Sequence, residues 1–83
     1  MPADGNGLKK RSLAIAGHRT SVSLEEPFWE ALGQLARSRG LSVQALVADI
    51  DRGRGENNLS SAIRLHVLRS YMDLAAAAAS PGS

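Results

Sequence analysis

Four cations crowd the first 24 residues: Lys9, Lys10, Arg11 and Arg19, with Asp4 the one acid among them. A guanidinium is a rigid fork of donors that can grip a planar pair of acceptors, such as a guanine edge. An ammonium is a compact partner for phosphate oxygens. Arg19, Ser21 and Ser23 alternate with Val22 and Leu24, so on an extended chain the three polar side chains share a face. These donors suit an acidic, acceptor-rich surface such as nucleic acid. Plainer uses of the same residues stand beside that one. Arg19 could pair with Glu25 or Glu26 across a strand–helix junction, and Lys9-Lys10-Arg11 could be a solvated tail. Short serines on an exposed strand need no function at all.

Catalysis finds little here. The carboxylates have no paired layout, and no nucleophile sits in a recognisable motif, so an enzyme is not expected. With no cysteine, disulfides and thiolate metal sites are excluded. His18 and His66 lie far apart and make no case for a metal; no cofactor is expected. His18, beside Gly17, reads as a turn residue or a pH-sensitive one. His66 reads as a satisfied interface histidine. No stretch approaches the roughly 18 apolar residues of a membrane span, and the N-terminus makes a poor signal peptide. A cytoplasmic protein is the simplest reading.

The whole chain is 83 residues, 43% apolar, with a net charge of +2. That is one domain, near the size at which a single core barely suffices, so a second copy is a natural source of buried surface. Past residue 24 the chain holds six basic and seven acidic residues. The excess positive charge therefore sits at the N-terminal end.

The elements that must position these groups follow in order. Residues 1–11 are expected to be a disordered basic arm, with the domain spanning 12–79 and a disordered tail at 80–83. Leu13 and Ile15 fall in odd phase, Val22 and Leu24 in even phase, and the switch lies at Gly17-His18. Either one bent strand runs from about 12 to 24, or two short strands fold back on each other; we expect the bend, with the strand proper at about 18–24. Such a lone strand lacks a hydrogen-bonding partner in its own chain, which points to a second copy. A first helix is expected over about 26–39, with Pro27 in its first turn and Gly40 after its end. A second runs over about 42–53 behind Ser42 as cap, with Val43, Leu46, Val47 and Ile50 as its stripe. A third, over about 58–76, is capped by Asn57 or Asn58. It carries two apolar stripes: Leu59, Ile63, Val67, Tyr71 and Leu74, and Leu65, Leu68 and Met72. So wide an apolar surface suggests a central position or a subunit interface.

Strand, helix, Gly-turn, helix at these lengths resembles the ribbon-helix-helix family of bacterial DNA-binding proteins. The resemblance rests on Thr20-Ser21-Val22-Ser23-Leu24-Glu25, Phe28-Trp29-Glu30-Ala31-Leu32 and Gly40-Leu41-Ser42-Val43-Gln44-Ala45-Leu46. More narrowly, Gly17-His18-Arg19-Thr20-Ser21-Val22-Ser23-Leu24-Glu25 with Phe28-Trp29 and Gly55-Glu56-Asn57-Asn58-Leu59-Ser60 is similar to a group of small stand-alone proteins of that family. It implies a mainly α fold with one N-terminal strand, built as an intertwined homodimer, here with an additional C-terminal helix. Two strands, one per chain, would pair into an antiparallel ribbon that enters the major groove of double-stranded DNA.

Arg19, Ser21 and Ser23 would then face the bases. Lys9, Lys10 and Arg11 would meet phosphates, with the helix start at Leu41-Ser42-Val43 as clamp. Asn58-Leu59-Ser60-Ser61 also looks like such a start, so Ser60 and Ser61 are candidates too. Val22, Leu24, Trp29, Ile63, Val67 and Tyr71 would form the dimer core. The implied role is a small transcriptional regulator. A dimeric protein-interaction module of the same fold, using the third helix, and an antitoxin-like regulator are the alternatives.

Overall fold

The computed structural model describes residues 7–79. It opens with two strands, β1 (Leu8–Ile15) and β2 (His18–Glu25), paired antiparallel from Leu8↔Glu25 to Ile15↔His18. Ala16 and Gly17 alone join them, with φ of 52° and 82°. Positive φ at both central residues is what a type I′ hairpin turn requires, and its twist matches that of the strands. The bend is therefore a turn, and the expectation of a single strand is corrected. A two-residue loop pairs odd positions with even ones. The phase switch between Leu13/Ile15 and Val22/Leu24 is the mark of that pairing, because all four must face the same core.

Two consequences follow. The strand finds its partner within its own chain, so the backbone argument for a second copy no longer holds. Residues 8–11 are ordered as the first half of β1 and not an arm; residues 1–6 and 80–83 lie outside the described residues.

Three helices follow: α1 (Glu26–Ser38), α2 (Val43–Arg52) and α3 (Leu59–Ala78). Pro27 sits in the first turn of α1, where a missing N–H costs nothing. The helix stops at Gly40, whose φ is 69°. The Leu41 amide reaches back to the Ala36 carbonyl at 2.8 Å and the Gly40 amide to Arg37 at 3.1 Å, a Schellman closure. Ser42 Oγ accepts the Ala45 amide at 3.0 Å to start α2, and Asn58 Oδ1 accepts the Ser61 amide at 2.8 Å to start α3.

One core joins the inner face of the ribbon to all three helices. Leu24, Leu32, Leu46, Val47 and Ile63 are fully buried, with Ile15, Val22, Trp29 and Val67 around them. No polar or charged residue is buried among the described residues. Five of the six residues expected in a dimer core, namely Val22, Leu24, Trp29, Ile63 and Val67, lie in the core of the single chain. The hairpin and the helices of a single protomer already cover them. The sixth, Tyr71, is exposed, and its hydroxyl donates to Gln34 Oε1 at 3.0 Å. No helix among the described residues is long and apolar enough to cross a membrane.

Candidate nucleic-acid interface

Strand alternation sorts the hairpin into two faces. Lys9, Arg11, Leu13 and Ile15 of β1 lie opposite Leu24, Val22, Thr20 and His18 of β2 on the face toward the helices. Leu8, Lys10, Ser12 and Ala14 lie opposite Glu25, Ser23, Ser21 and Arg19 on the outer face. That face is exposed apart from half-buried Ser23 and Glu25. Arg19, Ser21 and Ser23 therefore share the solvent face, and β1 adds Lys10, Ser12 and Ala14 to it.

The three neighbouring cations of β1 divide by parity. Arg11 and Lys9 alternate onto the inner face, where no aliphatic side chain would read as such in the sequence. Arg11 lies over the Trp29 ring, 4.9 Å from its centroid, and Lys9 Nζ is 3.9 Å from Glu26 Oε2. The Trp29 indole donates to the Lys9 carbonyl at 2.8 Å. Long basic side chains can cover apolar surface with their stems while their heads stay wet. Lys9 and Arg11 thus fasten β1 to α1, and Lys10 is the member of the trio that projects outward.

The acids near this face are engaged elsewhere. Glu25, at the end of β2, pairs with Arg64 of α3 at 3.0 Å, and the Arg64 guanidinium also lies 5.8 Å from the Phe28 ring centroid. A backbone hydrogen bond at Glu25, then the Arg64 hydrogen bond, hold the Glu25 carboxyl below the usual glutamate range. Glu26 faces Lys9. Both acids that could have neutralised Arg19 are taken, and Arg19 and Lys10 have no ionic or hydrogen-bonding side-chain partner among the described residues. Arg64 is thus what holds Glu25.

Two helix starts reach the ribbon from opposite edges. At the β1 edge, Gln44 Oε1 in the first turn of α2 accepts the Ala14 amide at 2.8 Å. At the β2 edge, Ser60 Oγ in the first turn of α3 donates to the Ser23 carbonyl at 3.1 Å. Neither α2 nor α3 has an acid in its first turn. Their positive ends and the first-turn amides that no cap reaches are therefore left to attract anions. Leu41 and Ser42 are exposed at the α2 start and Val43 packs against the core. Ser61 contributes its amide to the Asn58 cap, and Ser60 is tied to the ribbon. His18 closes the hairpin opposite Ile15 and is exposed. His66 is half-buried in α3 with Nε2 unpartnered; burial, then the nearby Arg39 charge, lower its pKa.

The sequence pattern of the ribbon-helix-helix domain family matches residues 8–71, from the start of β1 well into α3. The chain belongs to that family. A ribbon-helix-helix domain is a DNA-binding, regulatory domain, and families of this kind typically engage DNA as dimers. Among solved structures, the chain is similar to an uncharacterized protein from Bordetella pertussis Tohama I. The two share 34% identity with a TM-score of 0.72, over 92% of this chain and 64% of that one. This ribbon-helix-helix chain thus spans less than two thirds of that protein's length. No curated protein matches it.

Proposed function

We propose that this ribbon-helix-helix protein is a homodimeric DNA-binding regulator, and that each protomer lays its own hairpin along the major groove with the outer face toward the bases. A two-stranded ribbon fits that groove. Arg19 is the side chain long enough to take a guanine edge in both acceptors. Ser21 and Ser23, joined by Ser12, are short donors beside it. Lys10 supplies the phosphate term, and the starts of α2 (Leu41-Ser42-Val43) and α3 (Ser60-Ser61) flank the ribbon as backbone clamps. Lys9 and Arg11 contribute by fastening β1 and by their field.

The observation that supports this best is the freedom of Arg19 and Lys10 on one solvated face, with Glu25 and Glu26 held by Arg64 and Lys9. Titration of labelled mixed-sequence duplex at low salt tests it. Binding that weakens with salt, and weakens further in Arg19→Ala, is expected. Equal binding by wild type and Arg19→Ala across the salt series would remove the ribbon face from the reading. The apolar outer stripe of α3 favours a second reading, an interaction module. A protein that never shifts DNA at low salt yet retains a protein partner would decide for it.

A further inference from the structure

α3 carries one apolar stripe too many. Its inner side packs Ala62, Ile63 and Val67 into the core. Nearly opposite lie Leu65, Leu68 and Met72, exposed at 42%, 54% and 59%. Ala75 and Ala79 continue the same line and are exposed. The steps between these five alternate three and four residues, the a/d spacing of a coiled-coil seam. From Tyr71 onward every described residue of α3 is exposed, and the hydrogen bond from the Tyr71 hydroxyl to Gln34 ties the start of this stretch to α1.

We propose that α3 pairs antiparallel with α3 of a second copy along Leu65, Leu68, Met72, Ala75 and Ala79, with the two-fold axis near Met72. Two features of the stripe select that occupant and that direction. The large residues lie in the N-terminal half and the alanines in the C-terminal half. Antiparallel pairing sets Leu65 and Leu68 of one copy against Ala79 and Ala75 of the other, large into small on both sides of a central Met72 pair. Parallel pairing would stack leucine on leucine at one end and leave alanine facing alanine at the other. The seam's flanks give the same answer. Arg69 borders its N-terminal half, while Ala76 and Ala78 border its C-terminal half. A parallel pair would bring the two copies of Arg69 together, and an antiparallel pair sets each beside alanines. The stripe is thus complementary to itself in one direction only.

This inference rests on the proposed dimer and names its surface, and it is independent of DNA. Sedimentation of the full chain without DNA tests it. Wild type is expected at twice its 8.8 kDa mass, and Leu68→Glu, altered at an already exposed position, is expected as a folded monomer. The chain has no cysteine, so single thiols report direction. Met72→Cys is expected to cross-link to itself on oxidation. Leu65→Cys is expected to cross-link only when mixed with Ala79→Cys. A monomeric wild type would overturn both the dimer and this surface, leaving the stripe to another protein or a lipid surface. A Leu68→Glu dimer would overturn the surface alone, and self-cross-linking of Leu65→Cys would overturn the antiparallel direction.

Discussion

The ribbon and α3 each turn one face to solvent, and the two faces are opposites. Apart from Leu8 and Glu25 at its open end, the outer face of the ribbon is polar and basic, with Arg19 and Lys10 unpaired among the described residues and Glu25 and Glu26 held by Arg64 and Lys9. The outer face of α3 is apolar and graded in size from Leu65 to Ala79. One face offers donors and positive potential to an anionic partner. The other offers a hydrophobic seam that only another apolar surface can fill. Exposure alone would have treated both as surface. Their chemistry separates them into a face for a different kind of molecule and a face for another copy of the same one.

The largest effect should come from undoing what holds the ribbon in place. Trp29 is buried, donates to the Lys9 carbonyl and lies under Arg11. Trp29→Ala should cost about 3–5 kcal/mol in a denaturant melt, and the hairpin should lose protection from amide exchange. Arg19→Ala should do the opposite. It should leave the melt unchanged within about 0.5 kcal/mol and weaken DNA binding by about 1–3 kcal/mol. A loss of stability without a loss of affinity would break the distinction between the inner and outer faces.

Arg64 tests the ion pair between the two regions. Arg64→Met frees Glu25 at the end of the ribbon, where an unpaired carboxylate repels phosphates. DNA binding should weaken although Arg64 itself lies off the outer face. Arg64→Met combined with Glu25→Gln should restore part of it.

The contrast between β1 and β2 shows what was legible in the sequence. β2 alternates cleanly, so its faces were readable, and with them Arg19, Ser21 and Ser23. The three helices and their order followed from caps, glycine stops and apolar spacing. β1 was not legible, because the inner positions of its first half are Lys9 and Arg11. Their heads pair with Glu26 and Trp29 at the rim of the core, so the strand reads as a basic tail. The turn hid as well. Ala16-Gly17 lacks the asparagine that usually announces a type I′ turn. The phase switch held the information, and a bend explained it equally well until the register was known. The roles of Arg64 and Gln44 were out of reach for a different reason. Each acts on a group distant in sequence, Glu25 and the Ala14 amide, and nothing local marks such a contact.

Acid should expose a smaller effect. The folded-state pKa values of His66 and Glu25 are both lowered, His66 by burial and then by Arg39, Glu25 by its backbone hydrogen bond and then by Arg64. Each group then contributes stability above its unfolded pKa, and that stability is lost as pH falls through the folded value. Stability should decline first below the ordinary histidine value of 6.5 and again below the ordinary glutamate value of 4.5. His66→Gln should flatten the first decline and leave the second, as read by melts across pH.

The smallest expected change sits at the turn. Ala16 holds a left-handed conformation with φ of 52°, which costs a non-glycine residue about 1 kcal/mol. Asparagine tolerates that region better and suits the first position of a type I′ turn. Ala16→Asn should stabilise the fold by up to about 1 kcal/mol without touching DNA affinity or the α3 seam.

The assignment of the outer ribbon face to DNA can be read in one photo-cross-linking measurement, with a position on α3 as the control. A thiol-coupled photoreactive group is placed at Ser21→Cys on the outer ribbon face, or at Leu74→Cys near the exposed end of α3. Each labelled protein is irradiated with mixed-sequence duplex at low salt. Cross-links to DNA from Ser21→Cys and none from Leu74→Cys are predicted. DNA cross-links from Leu74→Cys with none from Ser21→Cys would contradict the assignment of the ribbon to DNA.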